Sequence, residues 1–361
     1  MDLEVNGRYD DAFTHLLLVG LASILEDDDE HRTCLIWWKN RGTAVIRPSD
    51  DLSWEDCAAI VQNHAKRWAD SSWLNASGEY SDEKKKYATL SPRFKAPSSP
   101  DKWRLLEQDR AHTIDTLQTA LDYRQIGALG EPSYWSGRSG KSKMGASRWD
   151  MTPRNGGQEF VGGRLRDLSK VVSGRDISQI INGLLGKTIT DEIDVQKKQP
   201  GKETKKFTAN GLRSPSITDN AQAWCALFGI SAFPVMKSTT SNFGSTAAFA
   251  QIGSQNNPFV VLPIWLNPWT IDRYRAVVRS RALLTIGLEG AFGVSPSDDD
   301  RKRSGILPAE VAHSRRWLKN KSVEYCMLFQ QYEEMVKAPN VWLMKGHPVF
   351  LEDRRMMGRI S

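Results

Sequence analysis

Gly140-Lys141-Ser142 has the ending of a phosphate-binding loop, whose backbone N–H groups surround a nucleotide's phosphates. That chemistry needs another glycine five residues upstream of Gly140, where this chain carries Trp135. It also needs a strand before the loop and a helix after it. The preceding "RQIGALGEPSY" has no β-rich run, and "KMGASRWDMTP" soon meets Pro153. Nucleotide hydrolysis is therefore not expected. What remains is a Gly/Ser segment carrying Arg138, Lys141, Lys143 and Arg148. That composition can follow a sugar-phosphate backbone, and it is equally that of a solvated basic loop.

Further cations follow in "RWDMTPRNGGQEFVGGRLRDL". Arg154 and Asn155 are residue types that read base edges through paired hydrogen bonds, and Gly156-Gly157 would let the backbone approach a groove; a surface turn accounts for the same letters. Arg164 and Arg166 continue the basic stretch, and Lys197, Lys198, Lys202, Lys205, Lys206 and Arg213 form a diffuse tract broken by Pro200 and Gly201. Such a tract supplies phosphate attraction without sequence preference, or simply solubility. In "TIDRYRAVVRSRAL" the spacing predicts one helix with Arg273, Arg275, Arg279 and Arg281 on a broad basic side, without Lys or Glu partners at i+4. Of the 13 tryptophans, most lie in apolar periodic runs and are expected in the core. Trp135, Trp149 and Trp269, beside Pro, Gly or Arg, are the candidates for base stacking.

Catalytic constellations are weaker. Asp191/Glu192 and Asp298 to Asp300 could in principle serve two-metal nuclease chemistry, but they sit in hydrophilic, loop-like sequence where solvated roles are expected. Cys34, Cys57, Cys225 and Cys326 are far apart, in apolar surroundings, and make no C-x-x-C pair, so they read as reduced core residues. The six histidines are dispersed, with no H-x-x-x-H or H-E-x-x-H. No catalytic residue, metal set or cofactor is assigned, and the chain is read as non-enzymatic.

The elements that must hold these residues follow from pattern. The 361 residues suffice for two domains or one elaborate one, and 40% hydrophobic with 25% charged residues is ordinary for a globular chain. No apolar run approaches the roughly 20 residues of a membrane span. "FTHLLLVGLASIL" is too short and follows acidic Asp10 and Asp11, unlike a secretory signal, so cytoplasmic residence is expected. The net charge of +6 is unevenly spread: residues 1–60 hold 13 acids and 5 bases, residues 135–215 hold 8 acids and 16 bases, and the stretch from Arg273 holds 10 acids and 16 bases. A polyanion-facing middle and end is the expectation.

Helices are predicted over Asp11 to Glu26, from a Ser53/Asp56 capping box towards Trp68, over 101–123, Gln158 to Val172, Asp176 to Leu185, after Asp219, over 270–283, and near Ala309 to Asn320. "TCLIWW" and "TAVIRP" read as a hairpin. "FPVMKS", "AAFAQIG" and "PFVVLPIW" read as a small antiparallel sheet, with later β runs in "VEYCMLFQ" and "VWLMKG". Residues 76–100, rich in Ser, Lys and Pro, are expected to be an exposed excursion. The fold class is α+β, mixed helices with small antiparallel sheets, in two subdomains with long basic loops: an N-terminal α+β domain over 1–126, a basic Gly/Lys-rich nucleic-acid-facing segment over 127–218 and a C-terminal α+β domain over 219–361.

Three stretches, "FTHLLLVGLASIL", "SPSITDNAQAWCALFGISAFP" and "PFVVLPIWLNPWTIDRYRAVVRS", together resemble in order and spacing the large-subunit-like proteins of type I CRISPR effector complexes, nearest to the type I-U (now I-G) variants. The resemblance implies a non-catalytic subunit of a Cascade-like complex, with guide RNA, target double-stranded DNA, other Cascade subunits and a helicase-nuclease as partners, and no membrane. In that division of labour, guide pairing reads most of the target while protein reads the flanking motif and the backbone. Large subunits are commonly longer and end in a helical bundle, whereas this C-terminal section mixes β runs with one helix. A backbone-type guide-RNA-binding subunit would account for that difference, and a metal-dependent nuclease is the other alternative.

Overall fold

A computed structural model describes residues 1–39, 42–80, 85–92, 97, 99–131, 146–150, 160–187, 218–237, 244–250, 258–291, 306–333 and 341–352. Strand β1 (Leu3–Val5) is followed by helix α1 (Ala12–Asp28), which Asp11 opens by accepting a hydrogen bond from the Phe13 N–H at 3.0 Å. The predicted hairpin is β2 (Cys34–Trp38) and β3 (Ala44–Pro48), registered from Cys34 opposite Pro48 to Trp38 opposite Ala44. Because β3 also pairs antiparallel with β1, the unit β1–α1–β2 is a split βαβ with β3 between its strands. Helix α2 (Trp54–Ala69) begins at the anticipated capping box, Ser53 and Asp56 satisfying each other's backbone N–H.

Helix α3 (Ser72–Asn75) precedes the stretch expected to be an exposed excursion, which holds β4 (Ser77–Gly78) and β5 (Tyr87–Ala88) and is partly core. Tyr80 and Leu90 are fully buried, and the Tyr80 hydroxyl bonds Thr89 at 2.8 Å and Asp109 at 2.9 Å. Hydrogen bonding of that hydroxyl is what allows a tyrosine in a Ser/Lys-rich stretch to be buried. The single long helix expected over 101–123 is two, α4 (Pro100–Ile114) and α5 (Ala120–Leu129), because Thr119 and Asp122 form a second capping box. A π-helical turn, Phe160–Leu165, leads into α6 (Arg166–Ser173), followed by α7 (Ile177–Leu184).

Helix α8 (Asn220–Gly229) is capped by Asp219, as predicted. Strands β6 (Val235–Lys237), β7 (Gly244–Thr246), β8 (Phe249–Ala250), β9 (Phe259–Ile264) and β10 (Trp269–Thr270) follow. Then come α9 (Ile271–Val278), α10 (Arg281–Ala291), α11 (Pro308–Asn320), β11 (Tyr325–Glu333), β12 (Val341–Leu343) and β13 (His347–Phe350). β6 pairs with β7 apart from the others, while β9 lies between β8 and the long β11, whose far edge takes β13 and then β12. β10 joins β2, so residues from opposite ends of the sequence complete one sheet, ordered β1-β3-β2-β10.

The fold is α+β, with eleven α-helices and small antiparallel sheets among the described residues. Most buried apolar side chains among the described residues form one cluster from Leu3 to Leu351, and Tyr80 and Leu106 form a second, smaller one. The centre of the first is the contact of α1 with α8, where the two backbones touch: a Cβ on Gly20 would fall 1.8 Å from the Cys225 carbonyl oxygen, and one on Gly229 would fall 2.1 Å from that of Leu16. The four cysteines are free and buried. Among the described residues no helix is long and apolar enough to cross a membrane.

Candidate nucleic-acid interface

The Arg-rich stretch is two helices, not one. Thr270 caps α9 through the Arg273 N–H at 3.2 Å, α9 ends at Arg279, and the Ser280 hydroxyl accepts from the Leu283 N–H at 3.2 Å to open α10. A serine between arginines was the overlooked stop signal. The four guanidinium groups therefore diverge. Arg273 lies 4.9 Å above the Trp269 ring and donates to the Lys321 carbonyl at 2.6 Å. Arg275 pairs with Asp272 at 3.1 Å, one turn back on its own helix, and Arg281 with Glu310 of another helix at 2.5 Å. The Arg279 side chain is exposed and forms no ion pair or hydrogen bond among the described residues.

Helix α11 adds cations that the sequence pattern did not single out. Arg316 is exposed without a partner among the described residues, Lys319 pairs with Glu352 at 3.1 Å, and the Lys321 ammonium sits 5.5 Å from the Trp317 ring centre. Arg273 satisfies a carbonyl at the end of α11, where Ser322 turns the chain with φ of 60°. It thereby ties the start of α9 to the end of α11 and gathers Arg273, Arg316, Lys319 and Lys321 from those two helices. The visible signal was "RRWLKNK", Arg315 to Lys321. Exposed ion pairs such as Lys319–Glu352 contribute at most about 1 kcal/mol, so a polyanion can displace the carboxylate.

The remaining candidates are scattered. Arg148 is partly buried; burial lowers its pKa, and its backbone N–H donates to Thr246 Oγ1 at 2.9 Å. Arg164 is half-buried in the π-helical turn, and Arg166 reaches the Leu74 carbonyl at 3.4 Å. Arg138, Lys141, Lys143, Arg154, Asn155, Lys197, Lys198, Lys202, Lys205, Lys206 and Arg213, with Trp135, lie outside the described residues. Two of the stacking candidates are corrected: Trp149 is 6% exposed, packed against Phe233 and Phe249, and Trp269 is 1% exposed, stacked on Trp265 with ring centres 4.7 Å apart. Polar sequence neighbours do not expose a ring whose strand turns it inward.

Beneath α9 the C-terminal turn of α1 carries a polar network. Arg67 bridges Asp27 at 2.8 Å and the fully buried Asp122 at 2.7 Å. Glu26 accepts from the Cys34 N–H at 2.8 Å, and burial raises the pKa of both Glu26 and Asp27. His64 is buried among Trp68, Trp224 and Phe228, 4.0 Å from Asp27, with a pKa held well below 6.5 by burial. Among the described residues no three His, Cys, Asp or Glu side chains converge as a metal site. The acidic runs Asp191/Glu192 and Asp298 to Asp300 lie outside them. No family model matches the chain, and none of the curated proteins matches it.

Proposed function

We propose that this protein binds the sugar-phosphate backbone of a polynucleotide without cleaving it. The observation that carries this reading is the cluster where α9 begins and α11 ends: Arg316 is exposed and unpaired among the described residues, and Arg273 and Lys321 are steadied against Trp269 and Trp317. Cations without carboxylate partners, held by rings and carbonyls, are arranged for phosphate oxygens. The assembly proposed for it is a type I CRISPR surveillance complex in the cytoplasm, in which the protein contacts guide RNA and target double-stranded DNA beside other Cascade subunits and the helicase-nuclease. Its support is the order of the three sequence stretches that resemble large-subunit-like proteins.

The test is co-expression of the full chain with a guide RNA and the remaining subunits of such a complex. Co-elution with RNA protected from added nuclease is the expected result. Elution alone and free of nucleic acid, or cleavage of labelled RNA or DNA with Mg²⁺ or Mn²⁺, would overturn it.

A further inference from the structure

We infer that Phe350 of β13, braced by Tyr325 of β11 and by Tyr9, is a shelf on which a base of a single-stranded polynucleotide stacks. This deepens the backbone-binding reading and rests on it, since it adds a base contact beside the cations where α11 ends. Tyr325 and Phe350 stand opposite each other in the antiparallel pairing of β11 with β13, so their rings share one face of the sheet, with centres 5.8 Å apart. Tyr9 meets Tyr325 edge to face at 6.1 Å and the buried Trp38 in the same manner at 6.2 Å, which anchors the row of rings in the core. Phe350 remains 41% exposed, while Tyr325 and Tyr9 are half-buried. A ring fixed by its neighbours has little rotamer freedom left to lose when a base covers its open side.

Cations stand at both ends of the row. Lys319 of α11 reaches Glu352 at 3.1 Å, and Glu352 is two residues, at most about 7 Å of chain, from Phe350. Lys321 lies four residues before Tyr325. At the other end the Arg8 guanidinium is 5.7 Å from the centre of the Tyr9 ring, and the exposed Arg8 and Lys345 share the carboxylate of Asp10 at 3.6 and 3.5 Å. Glu324, exposed next to Tyr325, opposes these charges in part. Rings between cations suit a single strand, which lays bases on the rings and phosphates on the cations. A protein strand fits this edge less well: β13 pairs only with β11 among the described residues, but Pro348 within it has no N–H to offer a new neighbour.

The probe is a labelled single-stranded oligonucleotide of about ten nucleotides, compared with a stable abasic backbone of the same length, each titrated into the full chain by fluorescence anisotropy. Wild type is expected to bind the base-bearing strand about tenfold more tightly than the abasic one. Phe350→Leu and Tyr325→Leu, which keep apolar volume without the ring, are each expected to remove most of that preference while leaving the affinity for the abasic strand as in wild type. Tyr325→Phe keeps the ring and the preference, and Lys319→Ala/Lys321→Ala weakens both strands alike. A preference that persists in Phe350→Leu overturns the shelf, as does equal binding of the two strands by wild type, and either result leaves the backbone-binding reading standing. Binding of neither strand by wild type overturns both.

Discussion

The Arg273 guanidinium lies 4.9 Å above the Trp269 ring while donating to the Lys321 carbonyl at 2.6 Å, so one side chain joins the sheet edge, α9 and the end of α11. Removing it abolishes a cation–π interaction and a helix-end hydrogen bond. Arg273→Ala should therefore cost about 1–2 kcal/mol of stability, measured by urea denaturation. Arg273→Lys should recover less than half, because an ammonium lacks the fork that caps and stacks together. A neutral Arg273→Ala would mean that the interaction contributes nothing in solution.

Contact of backbones between α1 and α8 makes a second prediction. Gly20→Ala places a methyl group on the Cys225 carbonyl, and backbone cannot move aside as a side chain can. A loss at or above the roughly 3 kcal/mol upper range of overpacking is expected, seen as a lowered thermal midpoint or loss of soluble protein. Gly127→Ala, in α5 with nothing within 4 Å of the added Cβ, should instead gain about 0.5–1 kcal/mol.

The buried pair Arg175–Asp219, at 2.8 Å with side chains 2% and 1% exposed, holds the N-terminus of α8. Arg175→Ala removes the guanidinium that meets this buried carboxylate and should cost about 3–5 kcal/mol. Replacing both residues with apolar ones of similar volume should recover much of that loss in a double-mutant cycle. Full additivity of the single effects would contradict the pairing.

Acid sensitivity follows from two histidines. Burial lowers the pKa of His15 to about 4 and that of His64 well below 6.5. The folded state keeps both neutral while the unfolded chain takes protons, so their contribution is present above pH 6.5 and is lost as pH falls towards about 4. Glu26 and Asp27, raised by burial, act oppositely: their contribution is present in acid and lost as pH rises through their folded values. His64→Leu should shrink the loss of thermal stability between about pH 7 and about pH 5. Glu26→Gln should deepen it relative to wild type. A pH profile unchanged by His64→Leu would clear that residue of any part in the acid sensitivity.

Where one short motif decides local structure, the sequence was readable: Ser53/Asp56, Asp219 and the two β-rich runs each set an element near its observed position. The errors arose where a local pattern had two outcomes. Arginines 273 to 281 have helical spacing whether or not Ser280 interrupts them. Trp269 looks exposed beside Pro268, yet β10 turns it onto Trp265.

The central claim is tested most directly by the salt dependence of polynucleotide binding. Fluorescence anisotropy of a labelled single-stranded RNA would be measured from about 50 to about 200 mM salt, for wild type and for Arg279→Ala/Arg316→Ala/Lys319→Ala/Lys321→Ala. The logarithm of affinity should fall linearly with the logarithm of salt concentration, and the slope should flatten by about 0.7 for every phosphate that the variant no longer neutralises. The fourfold variant should bind more weakly and more flatly on every sequence tested. Binding that is salt-independent, or identical in slope and affinity for the two proteins, would contradict the account.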